Sequence, residues 1–186
     1  MNSHYFIGIK VSKEIKQELV KWRALLKDQM DYKVWVHKED FHITLKFLGG
    51  CSDDTIDEYI ARLSKGEWPK AFPLTIGPAG SFGDKEKPRV FYADVEHSSL
   101  LLEMKKNIED VGEELGFKKE DRKFRPHVTV AKKQAEGKSP LVNLPGTSLF
   151  NKKYMMTVEE FAFFRIHPQE TPKYESVSVI KIGEKE

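Results

Sequence analysis

The sequence contains the pattern His-x-Thr twice, each time inside a short run of aliphatic residues. The first copy is His42 and Thr44 in "FHITLKFLG", and the second is His127 and Thr129 in "PHVTVAK". Alternate residues of a β-strand share a face, so the imidazole and the hydroxyl of each copy should point to the same side of a sheet. The aliphatic residues between and after them should then point to the other side, into a core.

Two imidazoles that face one ligand are suited to acid-base catalysis. The ordinary pKa of a histidine side chain is about 6.5, so near neutral pH one ring can accept a proton while another donates one. Threonine hydroxyls can donate hydrogen bonds to the non-bridging oxygens of a phosphoryl group. If the fold brings the two pairs to one groove, they predict in-line attack on a phosphodiester, with no metal and no other cofactor required.

Other chemistries fit these residues less well. A zinc site built from His37, His42 and His127 lacks an Asp or Glu partner at a recognisable metal-binding spacing. The G-x-S-x-G pattern of a serine hydrolase is absent, and the single cysteine, Cys51, excludes an internal disulfide framework. Either motif alone also fits a structural role, because threonine is a common strand former and a lone strand histidine is usually at the surface or hydrogen-bonded.

Each motif is preceded by a predicted strand and a predicted helix. In the first half, the strand "YFIGIKV" is followed by Ser12, a helix-capping residue, and by apolar residues at helical spacing: Ile15, Leu19, Trp22 and Leu26. In the second half, the strand "VFYADV" is followed by a helix that starts at Ser98 or Ser99, with these residues on one face: Leu101, Met104, Ile108, Val111 and Leu115.

The two halves therefore read as an internal repeat. The same 36-residue spacing separates Phe6 from His42 and Phe91 from His127. This register predicts duplication or pseudo-symmetry inside one domain that spans residues 1–186. The repeat units are about 5–48 and 90–132. A polar stretch from Gln134 to Asn151, which contains Gly and Pro, is predicted to be a loop.

The composition is that of an ordinary globular protein, with 32% charged and 39% hydrophobic residues and a formal net charge of +2. Global charge therefore does not indicate a nucleic-acid-binding protein, and any anion site must be local. One local patch surrounds the second motif, where residues 118–133 contain seven basic residues. No run approaches ~18 apolar residues and no signal peptide is recognisable, so we expect a cytoplasmic protein with no membrane contact.

The paired motifs in their wider context resemble the 2H phosphoesterase superfamily. The segments "WVHKEDFHITLKFLGG" and "FRPHVTVAK" are similar to its bacterial and archaeal RNA 2′,3′-cyclic phosphodiesterase branch, also described as 2′-5′ RNA ligase-like. The similarity extends over nearly the whole chain, through "SFGDKEKPRVFYADV" to the closing "RIHPQETPKYESVSVIKIG". It implies a bilobal α+β fold, in which two pseudo-symmetric lobes, each with an antiparallel sheet and flanking helices, surround a central groove.

The same resemblance implies a function for each motif residue. His42 would be the proton donor and His127 the proton acceptor, while Thr44 and Thr129 would bind the phosphate. The implied substrate is RNA with a 2′,3′-cyclic phosphate end, tRNA fragments included, which would be opened to a 2′-phosphate. Weak 2′-5′ ligation would be the reverse reaction, and the protein would act as a monomer.

Three basic residues are candidates for further substrate contacts. Arg125 stands two residues before His127, so it should share the face of the groove. Lys46 has the same parity as His42 and should also face the groove. Lys132 stands where many relatives have arginine, although strict alternation would turn it away from the histidine face.

Two alternatives to this function stay open at the level of sequence. The enzyme could act instead on a small cyclic nucleotide or on a linear 2′-5′ linkage. The chain could also be a non-catalytic RNA-binding module, against which the presence of two complete His-x-Thr pairs argues, since binding alone needs no second imidazole.

Overall fold

The computed structural model describes residues 2–143 and 149–183, and the strands of these residues form one antiparallel sheet. The strands are β1 (His4–Lys10), β2 (Met30–Trp35), β3 (His42–Gly50), β4 (Phe72–Gly83), β5 (Pro88–Val95), β6 (His127–Gly137), β7 (Tyr154–Val158), β8 (Glu160–Ile166) and β9 (Tyr174–Lys181). The helices are α1 (Lys13–Lys27), α2 (Asp53–Ser64), α3 (Ser99–Glu114) and the short α4 (Pro140–Asn143).

Eight of the nine strands in the described residues form two four-stranded halves that meet in the middle of the sheet, and β2 pairs with β6 outside these halves. The strand order is β7-β4-β5-β6-β3-β1-β8-β9, so the two motif strands, β3 and β6, are the central neighbours. β3 and β6 pair where Ile43 lies opposite Val128. Further along β6, β2 replaces β3 as the neighbouring strand, beginning where Trp35 lies opposite Ala131. The predicted α+β class with two sheet-containing lobes is confirmed, and the two predicted sheets are joined into one at this central pair.

The helices bury one face of this sheet. Ser12 caps α1 and Ser98 caps α3, each by accepting a hydrogen bond from the backbone N–H three residues later. The apolar faces of both helices pack into one hydrophobic cluster that also contains Ile43 and Val128. These two motif residues are fully buried, whereas their polar neighbours stay half-buried on the other face. The alternation predicted for the His-x-Thr segments is therefore present.

A β-bulge follows each His-x-Thr pair and reverses the alternation beyond it. In the first half, Gly8 lies opposite Thr44 and Ile7 lies opposite Lys46, so Leu45 is the extra residue of β3. As a consequence Lys46 points into the buried side, where it is 6% exposed, and Phe47 points to the open side, where it is 60% exposed.

The second half has its bulge at the equivalent position. Tyr92 lies opposite Thr129 and Phe91 lies opposite Ala131, so Val130 is the extra residue of β6. Ala131 is fully buried, and Lys132 returns to the face that carries the motif. Lys132 and Phe47 therefore occupy equivalent positions in the two halves.

The two motifs occupy equivalent positions in the sheet, but the first strands of the two halves are offset by one residue from the register that the 36-residue spacing predicted. Phe6 lies opposite Phe47 and Val90 lies opposite Lys132, so the counterpart of Phe6 is Val90 rather than Phe91. The ring of Phe6 accordingly packs beside His42 on the open face, while Phe91 is fully buried in the main core.

The loop predicted from Gln134 to Asn151 is only partly a loop. β6 continues to Gly137, because β2 supplies a hydrogen-bonding partner along this part of the strand. Helix α4 and a 3₁₀ turn at Leu149–Asn151 follow, and the part of the prediction at 144–148 lies outside the described residues. Within the described ranges, no helix combines the length and apolar character needed to cross a membrane.

Candidate active site

His42 is held by two hydrogen bonds. Its Nδ1 lies 2.7 Å from the backbone carbonyl oxygen of Asp40, and its Nε2 lies 2.8 Å from Oγ1 of Thr44. A carbonyl oxygen only accepts, so Nδ1 carries the hydrogen, and in the neutral ring Nε2 accepts from the threonine hydroxyl. Asp40 ends the 3₁₀ turn Lys38–Asp40, which positions this carbonyl immediately before β3.

His127 is oriented in the same way. Its Nδ1 donates to the backbone carbonyl oxygen of Arg125 at 2.7 Å, again two residues earlier in the chain. In both rings Nε2 is therefore the nitrogen that can exchange a proton with a ligand. The rings of Phe82 and Tyr92 flank His127, with centroid separations of 5.0 and 5.2 Å. Thr129 lies half-buried on the same strand, opposite Tyr92.

Burial lowers the pKa of His42 to about 4. Its ring lies against Phe6 at 4.5 Å and edge-on to Tyr174 at 5.1 Å between centroids, and this aromatic surrounding disfavours the charged form. Asp40 partly opposes the effect, whereas repulsion from His127 in its charged form and from the Lys132 ammonium lowers the pKa of His42 further. These two groups from β6 therefore lie near enough to His42 to act on its charge.

This shift predicts that His42 makes the folded protein less stable in acid. Its pKa is about 6.5 in the unfolded chain and about 4 in the folded protein, so between these values the unfolded state binds more protons. Stability is lost as pH falls through this window. At pH 5 the free energy of unfolding should be lower by up to about 2 kcal/mol for this reason. Urea unfolding at pH 7.5 and 5 should show a smaller loss for His42→Gln than for the wild type, and equal losses would contradict the shift.

Two cavities adjoin the motif residues, and Thr44 and Phe47 line both of them. The cavity on the His42 side has a volume of about 330 Å³ and the one on the His127 side about 610 Å³. A smaller cavity of about 130 Å³ lies beyond His127. The volumes of the two larger cavities suit nucleotide-sized groups. The arrangement forms one open groove with an imidazole on each side.

The three basic candidates have different positions. Arg125 lines both cavities beside His127, as its spacing predicted. Lys132 lines the cavity of His42, so the predicted orientation away from the histidine face is wrong because of the bulge at Val130.

Lys46 also lines the larger cavity, but the bulge at Leu45 turns its ammonium group to the buried side of the strand instead of the open face that its parity predicted. Its Nζ donates to Glu109 on α3 and to the carbonyl oxygen of Lys118, each at 2.9 Å, on the buried side of β3. Both partners satisfy the ammonium group, so Lys46 ties β3 to α3.

Several residues of the groove were not found from the sequence. Lys173 ends the turn between β8 and β9, and Tyr174 begins β9. Both are far from either motif in the sequence, and no local pattern marks them. Phe82, at the end of β4, likewise reaches His127 only through the sheet. Across residues 2–143 and 149–183, no three His, Cys, Asp or Glu side chains lie close enough together to hold a metal ion.

The comparisons with known proteins agree with this architecture. A family model described as LigT like phosphoesterase matches residues 9–92. The RNA 2′,3′-cyclic phosphodiesterase of Geobacillus stearothermophilus is 31% identical over 97% of this chain, and the chain spans 57% of that relative's length. The Thermotoga maritima protein of the same name is 32% identical over 68% of this chain and 68% of its own.

Solved structures show the same fold. The crystal structure of E. coli LigT complexed with 3′-AMP superposes with a TM-score of 0.78 at 19% identity, and the match covers 99% of this chain and 100% of that chain. The crystal structure of TT0787 of Thermus thermophilus gives a TM-score of 0.73 at 20% identity over 98% of this chain and 100% of that chain. Together with the sequence matches, these findings show that the chain belongs to the LigT-like phosphoesterase family.

Proposed function

We propose that this protein is an RNA 2′,3′-cyclic phosphodiesterase, which hydrolyses the cyclic phosphate at an RNA 3′ end to a 2′-phosphate without a metal ion. The observation that carries the proposal is the matched pair of imidazoles. Each Nδ1 donates to a carbonyl two residues earlier, and each ring stands two residues before a threonine on the open face of the sheet. The relatives' shared name supports the same activity.

The chemistry assigns one proton transfer to each histidine. Neutral His127 accepts a proton at Nε2 from water as the water oxygen attacks phosphorus. The bond from phosphorus to the 3′ oxygen breaks, and protonated His42 donates its Nε2 proton to that oxygen. If a 5′-hydroxyl takes the place of water as the nucleophile, the same bond breaks, His127 accepts the hydroxyl proton, and the product is a 2′-5′ linkage.

Substrate binding must prepare His42 for its role as a donor. Burial keeps this ring neutral near neutral pH, while an anionic phosphate beside it favours the charged form and raises its pKa. Once Nε2 is protonated it no longer accepts from Thr44, whose hydroxyl can then donate to a phosphate oxygen. Binding of the phosphate and protonation of His42 therefore reinforce each other.

The direct test uses an oligonucleotide with a 2′,3′-cyclic phosphate end, incubated with the protein and EDTA. We expect undiminished turnover in chelator and a 2′-phosphate product, identified by phosphorus NMR. Activity that disappears in EDTA and returns with a divalent metal would contradict the two-histidine mechanism. A 3′-phosphate product would contradict the assignment of the leaving group.

Arg125 should bind the RNA rather than the reacting phosphate alone. Its exposed side chain lines the larger cavity, together with Lys123 and Arg122, and forms a basic border beside His127. Arg125→Ala should therefore raise KM for an oligonucleotide more than for a nucleoside 2′,3′-cyclic phosphate. Added salt should lower the affinity for the oligonucleotide more steeply than the affinity for the mononucleotide, because the oligonucleotide releases more counterions when it binds.

Arg62→Ala provides a control for this variant, since Arg62 is an exposed arginine on α2 that pairs with Glu114 outside the groove. The control should leave both KM values unchanged. If Arg125→Ala affects the two substrates equally, the basic border does not contact the RNA beyond its terminal nucleotide.

A further inference from the structure

The turn between β8 and β9 is fastened beside His42 by a buried carboxylate. The side chain of Asp40 is 5% exposed, and its two oxygens accept hydrogen bonds from the backbone N–H groups of Lys173 and Tyr174 at 2.9 and 3.2 Å. The turn is closed by a bond from the backbone N–H of His167 to the carbonyl oxygen of Lys173 at 2.7 Å. Asp40 therefore holds the backbone of Lys173 with its carboxylate and orients His42 with its backbone carbonyl.

This arrangement places two ammonium groups at one cavity. Lys173 from the turn and Lys132 from β6 both line the cavity of about 330 Å³ next to His42. Burial lowers the pKa of Lys132, and the positive charge of Lys173 lowers it further. Among the described residues that line this cavity, none is acidic. The two ammonium groups repel each other, and no carboxylate among these described lining residues compensates their charge. The cavity therefore favours an anionic ligand.

The reacting group supplies too little negative charge for both cations. A cyclic phosphodiester carries a single negative charge, and the two threonine hydroxyls are already assigned to its oxygens. In the proposed reaction the 3′ oxygen departs toward His42, so the ribose that carries it extends over the His42 side of the groove. A phosphate on the 5′ side of that ribose would then come to the side where Lys132 and Lys173 line the cavity.

We propose that Lys173, together with Lys132, binds the phosphate on the 5′ side of the terminal nucleotide. In an RNA this group is the last internucleotide phosphodiester. The second phosphate makes the protein select an RNA end over a nucleoside 2′,3′-cyclic phosphate. The assignment rests on the proposed function and adds a substrate contact to it.

The test compares two substrates that differ only in this phosphate: cytidine 2′,3′-cyclic phosphate and the same compound with a 5′-phosphate. We expect the wild type to show a higher kcat/KM for the 5′-phosphorylated compound. Lys173→Ala should reduce the ratio of the two kcat/KM values about tenfold, the effect of one charge-assisted hydrogen bond, mainly through KM. Lys173→Arg should restore most of the ratio, because it keeps the charge.

Lys181→Ala is the matched control. Lys181 is an exposed lysine at the opposite end of β9 from Tyr174 and lines neither cavity, so removing its charge should leave the ratio as in the wild type. Asp40→Asn should lower the ratio partway, because one oxygen that holds the turn is lost.

Each remaining outcome identifies which statement fails. If Lys173→Ala lowers kcat/KM equally for both substrates, Lys173 acts on the reacting phosphate, and the proposed site for the 5′ phosphate is wrong. Equal kcat/KM values for both substrates in the wild type would also overturn it, while the proposed function would stand. If the wild type opens neither compound nor a cyclic-phosphate-ended oligonucleotide, the proposed function is wrong and this inference falls with it.

Discussion

Replacing His42 or His127 with alanine should lower kcat for the opening of a cyclic phosphate end by about a hundredfold or more, the usual contribution of a positioned general acid or base. Each ring presents one nitrogen to the groove, because a backbone carbonyl fixes the other. Neither variant can replace this nitrogen with another side chain of suitable pKa. The loss should appear in single-turnover measurements, which report the chemical step separately from product release.

The control for these variants is His4→Ala, which removes an exposed imidazole at the far end of β1. It should leave the rate unchanged. Circular dichroism and thermal unfolding should show that His42→Ala and His127→Ala keep the sheet, because the buried residues of both motifs are the aliphatic ones. Near wild-type turnover in both histidine variants would refute the proposed mechanism.

Replacing Thr44 or Thr129 with valine should slow the reaction by about two to three orders of magnitude. Valine keeps the branched shape but removes the hydroxyl, and loss of one donor to a transition-state oxygen typically costs ~3 kcal/mol. Thr44→Val removes in addition the donor to Nε2 of His42. We therefore expect Thr44→Val to change the pH dependence of kcat as well as its value, whereas Thr129→Val should change the value alone.

Thr157→Val tests whether the effect belongs to the site. Thr157 is an exposed threonine on β7, at the opposite end of the sheet order from β9. Replacing it should leave the rate in the same single-turnover assay unchanged. Unchanged rates in both motif variants would reduce the two threonines to strand-forming residues.

The periodicity of the sequence was sufficient to predict the central geometry of the candidate site. Residues two apart on a strand share a face whatever the rest of the chain does, so the His-x-Thr pairs and their buried aliphatic neighbours could be assigned from spacing alone. The same rule failed a few residues later, at Lys46 and Lys132. A bulge inserts one residue into the strand, and neither Leu45 nor Val130 differs in type from an ordinary strand residue.

The parts of the groove that come from distant segments were beyond sequence reasoning for a different reason. Lys173 and Tyr174 reach His42 only because β8 pairs with β1 and because Asp40 holds the following turn. Both contacts are tertiary and join residues far apart in the sequence. Asp40 did carry a local signal, since it precedes His42 by the same two positions that separate Arg125 from His127, but only the structure shows that the shared feature is a carbonyl.

The interleaving of the two halves has a consequence for the newly synthesised protein. The first motif strand belongs to a half-sheet that is completed by β8 and β9, and β2 from the early part of the chain pairs with β6 from the late part. Contacts of such long sequence separation form late. While the chain is still being translated, Tyr174 does not yet cover the ring of His42, and β1 lacks β8, the second of its two partner strands. The proposed hydrolysis of a cyclic phosphate should therefore begin only after the ribosome has released β9.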